Sequence, residues 1–302
     1  MRRELPWVSR SKQIADMPDL IETIFTPTGV RHSTDKPRFR TTRAMARELV
    51  AARELCWRLF VRDLSAKYRQ SALGLVWAVL LPVVTLVMFI GMQASGLLRT
   101  QGLSVPYPVY AVIGLTWWGL FAGGLGAASP SLVQASNMLG RLRFPRVALV
   151  IAATGQALVD LCVRLVVATV VLVIYGIRPS MGGLALALAC LLPLYLLTLG
   201  LGFIVALLGV VVRDTVHLVQ WGLLGAMLLT PVLYPIPSAS LLGRINVWNP
   251  LHYLIAVPRD LLLTGGSPHA VGLLVSMVVA LVIFGVGWRV FFLAQAKIAE
   301  RL

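Results

Sequence analysis

RDLSAKYRQSALGLVWAVLLPVVTLVMFIGM, running from Arg62 to Met92, decides the fold. It opens with Arg62, Lys67 and Arg69 and turns, at Ser71, into more than twenty residues without a charge. A helix of about 20 apolar residues crosses a hydrocarbon core of roughly 30 Å, so the change of composition marks a membrane surface. Arg58, Arg62, Lys67 and Arg69 precede the apolar run and Arg99 alone follows it closely. Positive flanks stay on the cytoplasmic side, which predicts a cytoplasmic N-terminus.

The composition agrees. Of 302 residues, 58% are hydrophobic and only 13% charged, and the mean hydropathy is +0.83. A soluble domain carries about 25% charge, so the chain reads as an integral membrane protein. A formal charge of +15 would point to nucleic acid in a soluble protein. Here fifteen of the 27 Lys and Arg stand in residues 1–69, in front of the first span, and no nucleic-acid partner is expected. No short apolar run with a small-residue cleavage site lies near Met1, so the first span is expected to be an uncleaved anchor. Cys56, Cys162 and Cys190 match no metal-ligand spacing and no disulfide is expected.

Upstream, residues 1–41 are polar and interrupted by Pro6, Pro18, Pro27 and Pro37, the pattern of a loosely ordered cytoplasmic extension. From Thr42 to about Lys67, Met45, Leu49, Ala52, Cys56, Leu59 and Phe60 recur at steps of three and four among arginines. That period predicts an amphipathic helix capped by Thr41 or Thr42, lying on the inner membrane face or packed on a soluble partner. The chain thus divides into an extension (1–41), an interfacial helix (42–69) and a membrane domain (70–302).

Downstream, hydropathy predicts an all-α domain of six transmembrane helices, at about 71–98, 108–134, 147–175, 183–211, 215–234 and 270–293. An even number keeps both termini cytoplasmic. Arg141, Arg143, Arg146, Arg213, Lys297 and Arg301 then fall inside, and Arg99, Arg178, Arg244 and Arg259 outside. The second span carries Gly114, Gly119, Gly123, Gly124 and Gly126, small residues that allow close helix packing in lipid. Pro130 is expected to kink its inner end. Trp117 and Trp118 read as anchors at the outer interface.

Two stretches invite functional readings. The segment QASNMLGRLRFPRVAL, Gln134 to Leu149, alternates Met138, Leu139, Leu142 and Phe144 with Arg141, Arg143 and Arg146. It is either a docking surface for a cytoplasmic partner or a positive inner loop dipping into the interface. In the third span Asp160 and Arg164 stand four residues apart and share a helix face. Ionisable groups at that depth face a bundle interior or a wet cavity. They read as a structural pair, or, alternatively, Asp160 is the proton site of an ion-coupled carrier.

Between the last two spans, Thr230 to Gly266 is apolar but broken by Pro231, Pro235, Pro237, Pro250 and Pro258, which excludes one crossing helix. Residues 235–265 are expected to form one or two short re-entrant helices on the outer side, where protein or water satisfies the backbone.

No catalytic constellation stands out. The lysines make no GxxxxGK[ST] phosphate loop, the histidines His32, His217, His252 and His269 make no metal set, and there is no GxSxG elbow. No cofactor or metal is expected on this chain. A membrane-bound transferase would need paired carboxylates or a His at a membrane face, and only Asp214 with His217 comes near.

RDLSAKYRQSALGLVWAVLLPVVTLVMF, YPVYAVIGLTWWGLF, SLVQASNMLGRLRFPR, LGVVVRDTVHLVQ and LLTPVLYPIP with NPLHYLI together resemble the permease subunit of bacterial ATP-binding-cassette exporters of lipid-linked polysaccharide, of the O-antigen, capsule and teichoic-acid types. The resemblance runs from about Trp57 to Gly265 and leaves out residues 1–41. It implies a homodimer in the cytoplasmic membrane, with two copies of a separate ATPase subunit that holds ATP and Mg. It also implies a coupling helix over Asn137, Met138, Leu139, Arg141, Leu142, Arg143, Phe144 and Arg146, a gate helix over Thr42–Lys67, and an inner turn at Arg213 and Asp214. A conduit at the dimer axis would bring Trp77, Phe89, Trp221 and Tyr234 into consideration, where aromatic faces let sugar rings slide; lipid anchoring or core packing is the other reading of each. Arg62, Lys67, Tyr68 and Arg69 become candidates for the lipid diphosphate and the gate, since a basic surface attracts such a group.

Overall fold

The computed structural model describes residues 50, 53–69, 76–97, 103, 105–135, 146–212, 214–237 and 239–298, with side chains to 67 in the first of these helices and to 294 in the last, and the backbone of 25–26 and 29–30. The chain divides into two units, residues 1–40 and 41–302. In the first, β1 (Phe25–Thr26) and β2 (Gly29–Val30) pair antiparallel, Phe25 opposite Val30. The regular elements among the described residues of the second unit are all helices.

Helix α1 (Arg53–Arg69) is amphipathic as its spacing predicts. Leu55, Cys56, Leu59 and Phe60 turn toward α4 (Val147–Ile174), and Leu59 is fully covered. Phe60 fits against the bare α-carbon of Gly155, where an added Cβ would stand 3.3 Å from its ring. The outward face carries an exposed Glu54–Arg58 pair one turn apart, worth a few tenths of a kcal/mol.

The second span, α3 (Tyr107–Gln134), is the axis of the bundle. It packs on α2 (Val76–Ala94), on α4, on α6 (Leu191–Val211) and on α7 (Thr215–Leu229). Nineteen of its 28 residues are buried, so no narrow apolar stripe is visible in its sequence: a helix covered on most sides is apolar nearly all round. Trp117 and Trp118 are therefore core residues, 2% and 6% exposed, rather than interfacial anchors. Trp117 lies ten residues into the helix, about 15 Å from its start, among neighbouring helices. Close approach is made by glycine. A Cβ on Gly124 would stand 2.5 Å from Thr198 Cγ2 of α6, and one on Gly114 would collide with the Val232 carbonyl. Two buried threonine hydroxyls are satisfied within their own helices: Thr116 Oγ1 donates to Val112 O at 2.7 Å and Thr198 Oγ1 to Leu194 O at 2.8 Å. The helix continues through Pro130 to Gln134.

A short helix α5 (Met181–Ala189), capped by Ser180, joins α6 at Cys190, and together they make one 31-residue apolar stretch. The last helix, α10 (Ala270–Ile298), crosses α6 where Gly200 meets Phe284 and Gly287, a Cβ on Gly200 standing 2.6 Å from Phe284 Cα. Phe203, Phe284, Trp288 and Phe291 fill the space below that crossing, with ring centroids 5.1–6.5 Å apart.

Among the described residues, five stretches are long and apolar enough to cross a membrane: α2, α3, α4, α5 with α6, and α10. The predicted fifth span is shorter than expected. Helix α7 stops at Leu229 after 15 residues, about 22 Å, because Pro231 has no amide to continue it and disfavours helical geometry at Thr230. Beyond it come two short helices, α8 (Leu241–Asn246) and α9 (Pro250–Thr264). Ser240 Oγ caps α8 through Gly243 N, and Asn249 Oδ1 caps α9 through Leu251 N, with Pro250 at the first helical position and Gly265 at φ 77° closing the end. Pro258, expected to break the chain, sits inside α9. On α2 only Leu86 is buried and on α7 only Thr215, so both helices present wide apolar faces outward.

Candidate functional site

Helix α1 ends against the C-terminal end of α3 and the first half of α4, and the three enclose a polar cavity of about 440 Å³. Arg62, Asp63 and Lys67 of α1 line it with Ser131 and Gln134 of α3 and Gln156 of α4. The sequence favours this because α1 buries its apolar side on α4 and so swings its basic side over the end of α3. Arg62 Nε donates to Asp63 Oδ1 at 2.8 Å. At the edge of the cavity Lys67 Nζ donates to both carboxylate oxygens of Asp160, each at 2.8 Å. The bond links residues 93 positions apart and fixes the C-terminal part of α1 to the middle of α4.

Asp160 and Arg164 were expected to pair with each other. Asp160 attracts Arg164 electrostatically, and both of its carboxylate oxygens accept hydrogen bonds from Lys67. Arg164 instead lies along α3, where Gly119 has no side chain: an added Cβ would stand 2.6 Å from Arg164 Nε. That nitrogen is buried without a hydrogen bond among the described residues. The glycine explains the geometry, since any larger residue would push the guanidinium off the helix.

Of the other gate candidates, Tyr68 and Arg69 have helical backbone, and their side chains lie outside the described residues. In the coupling segment, Asn137, Met138, Leu139, Arg141, Leu142, Arg143 and Phe144 lie outside the described residues, as does Arg213 at the inner turn. Arg146 forms the turn before α4, where partial burial lowers its pKa from the ordinary guanidinium value. The four aromatics are not gathered into one cluster. Trp77 on α2 and Trp221 on α7 are exposed, the latter by 72%. Phe89 packs against the core, and Tyr234 Oη donates to Leu228 O.

At the opposite end of α3 a second polar cluster holds the broken segment after α7. Arg259 of α9 is 4% exposed, donates from Nη1 to Pro231 O at 2.8 Å, and stacks with Cζ 3.8 Å from the Tyr110 ring centroid. Tyr110 Oη donates to the same carbonyl at 3.3 Å. Asn246 Nδ2 donates to Leu229 O at 2.6 Å and Asn249 Nδ2 to Thr230 Oγ1 at 3.1 Å, so the end of α7 is satisfied by side chains. His252 and His269 stand 6.1 Å apart by ring centroids. Burial first, then the neighbouring His269 and Arg259, push the His252 pKa down to about 4. Burial raises that of Asp260, which Arg259 and a weak bond from Ser267 partly offset.

Arg259 had been read as an outer-loop charge. Its neighbours carried a better signal: Ile255 and Leu262, four residues before and three after, are apolar positions on the same helix face. Lys67 with Asp160 left no such signal, because a contact across 93 residues is invisible to any local period.

The comparisons with known proteins agree with this architecture. The family model described as "ABC-2 type transporter" matches residues 54–263. A Myxococcus xanthus protein named "O-antigen export system permease protein RfbA" is 26% identical over 262 residues, 85% of this chain and 99% of its own length. A Klebsiella pneumoniae protein of the same name is 26% identical over 208 residues, 68% of this chain and 78% of its own length.

Proposed function

The chain belongs to the ABC-2 type transporter family, multi-pass membrane subunits whose ATPase sits on a partner, and from that premise we propose that it is the permease of an ATP-driven exporter of polyprenyl-diphosphate-linked polysaccharide. The substrate class follows the name of the O-antigen export relatives. The observation that carries the reading furthest is the cavity at the end of α1, where Arg62 and Lys67 stand beside Gln134 and Gln156, with the apolar helix α2 following in the chain. A diphosphate on a long apolar tail asks for this pairing: cations and amide donors for the head, a lipid-facing apolar surface for the tail.

In this reading both termini are cytoplasmic in the bacterial inner membrane, and α7 with the segment after it makes a short sixth crossing. Helices α8 and α9 return on the outer side as a re-entrant pair. Two copies of the chain meet through the outward apolar faces of α2 and α7, which places Trp77 and Trp221 near the glycan path. Two ATPase subunits grip Asn137–Arg146 and transmit the closure of their ATP sites to the gate helix α1.

The ion-coupled alternative has less support. Both carboxylate oxygens of Asp160 accept hydrogen bonds from Lys67 at 2.8 Å, which commits the group to a structural contact between α1 and α4. Co-purification tests the proposal: a nucleotide-binding chain is expected to accompany the permease and to be lost when Arg141, Arg143 and Phe144 are replaced together. A permease that purifies without any ATPase under conditions that preserve its fold argues against it.

A further inference from the structure

The cavity at the far end of α3 plays no part in the account so far. Tyr110 and Gln134 stand near opposite ends of one buried helix, about 36 Å apart by helical rise, a little more than the hydrocarbon core. One polar cavity therefore sits at each end of the bundle's axis. The first holds Arg62 and Lys67; the second, about 250 Å³, is lined by Tyr110, His252, Arg259, Asp260, Thr264 and His269 among apolar and proline side chains.

The charges decide what the second cavity takes. A cation would meet the Arg259 guanidinium, which makes no ion pair within 4 Å among the described residues. An anion would meet the Asp260 carboxylate. A neutral ligand that both donates and accepts hydrogen bonds meets each group with its complement: hydroxyls donate to Asp260 and accept from the histidine rings, while C–H faces lie on the proline and leucine walls. A pyranose ring has this mixture of groups, and the volume suits one ring rather than a chain.

We propose that the cavity between the start of α3, the segment after α7 and helix α9 is a sugar-binding subsite, occupied by one neutral hexose or deoxyhexose unit of the polymer as it leaves the permease. The proposal rests on the reading of the chain as a glycan exporter and deepens it. Only the part of Asp260, His252 and His269 that faces the cavity touches the sugar. Arg259 stays committed to Pro231 and Tyr110 and shapes the floor. A site of this kind gives the moving glycan a resting place on the outer side and disfavours back-sliding between strokes.

The test uses the full-length chain in lipid nanodiscs, probed by saturation-transfer NMR with methyl glycosides of hexoses, 6-deoxyhexoses and N-acetylhexosamines, and with inorganic phosphate and choline as ionic controls. Binding of at least one neutral glycoside is expected, weakened roughly tenfold or more in Asp260→Asn and in His269→Ala. Both variants are checked for an unchanged melting temperature, and His269, being exposed, provides the substitution that leaves the fold intact. Binding of phosphate or choline in place of the glycosides, glycoside signals unchanged in both variants, or no signal from any glycoside overturns the subsite. Glycan export by the intact complex, measured separately, distinguishes the two ideas: export without glycoside binding removes the subsite alone, and absence of export removes the exporter reading beneath it.

Discussion

Lys67 Nζ lies 2.8 Å from both carboxylate oxygens of Asp160, joining helix α1 to the centre of α4. The pair is partly exposed, with side-chain accessibilities of 40% and 30%, so it contributes on the order of 1 kcal/mol. Its larger consequence is positional: it holds the C-terminal part of α1 against α4. Lys67→Ala or Asp160→Ala should each lower thermal stability by about 1 kcal/mol and reduce transport, and the charge swap Lys67→Asp with Asp160→Lys should recover part of both. A double-mutant cycle in melting temperature and transport rate measures this. Strict additivity would show that the contact does not couple the two helices.

Glycine spacing on α3 gives a second outcome. Gly124→Leu forces a side chain into Thr198 and should destabilise the protein by about 1 to 3 kcal/mol, whereas Gly126→Ala, with no atom within 4 Å of its Cβ, should be neutral or slightly stabilising. Gly119→Leu should displace Arg164 in the same way. Melting curves in detergent of the three variants, ranked against the parent, check the order.

Arg259 provides a third. Arg259→Ala removes a buried donor, the stacking on Tyr110 and much volume, and should cost about 2 to 4 kcal/mol. Tyr110→Phe loses one long bond to Pro231 and should cost about 1 kcal/mol or less. Arg259→Lys keeps the charge but not the planar face or the fork, so it should fall nearer to alanine than to the parent. Chemical denaturation of the four proteins settles the ranking.

The pH dependence follows from His252. Its folded pKa of about 4 lies below the ordinary 6.5, so the unfolded chain binds more protons between those values. Stability from this residue is complete above about pH 6.5 and is lost as pH falls toward 4. Solvent screening of a group that is not fully buried reduces the effect to roughly 1 kcal/mol. Melting temperatures between pH 4.5 and 7 should fall more steeply in the parent than in His252→Gln.

Which parts of this were legible in the sequence follows from how local each signal is. The apolar run after Ser71, the amphipathic period ending at Phe60 and the prolines from Pro231 to Pro250 act on the chain close to where they stand, and the structure has the corresponding helices and break. Trp117 and Trp118 were misplaced because their exposure depends on how many helices surround α3, not on distance from an end of hydropathy. The length of α7 was overestimated because the residues after Leu229 stay apolar while their backbone leaves the helix. Around the cavity, Arg62 and Lys67 stood out by their charge once the resemblance had supplied a diphosphate substrate, whereas Gln134 and Gln156 join them only because α3 and α4 are packed side by side. Asp160 stood out as a charge in an apolar run, but the lysine that bonds to it stands on another helix.

The most direct test of the account is reconstitution of the permease in proteoliposomes with its ATPase partner, following movement of a polyprenyl-diphosphate-linked glycan across the bilayer. The account predicts transfer that requires both chains and hydrolysable ATP, and that falls sharply when Arg62 and Lys67 are replaced by alanine. Transfer by the permease alone driven by a proton gradient, or ATP-dependent transfer indifferent to those two residues, would contradict it.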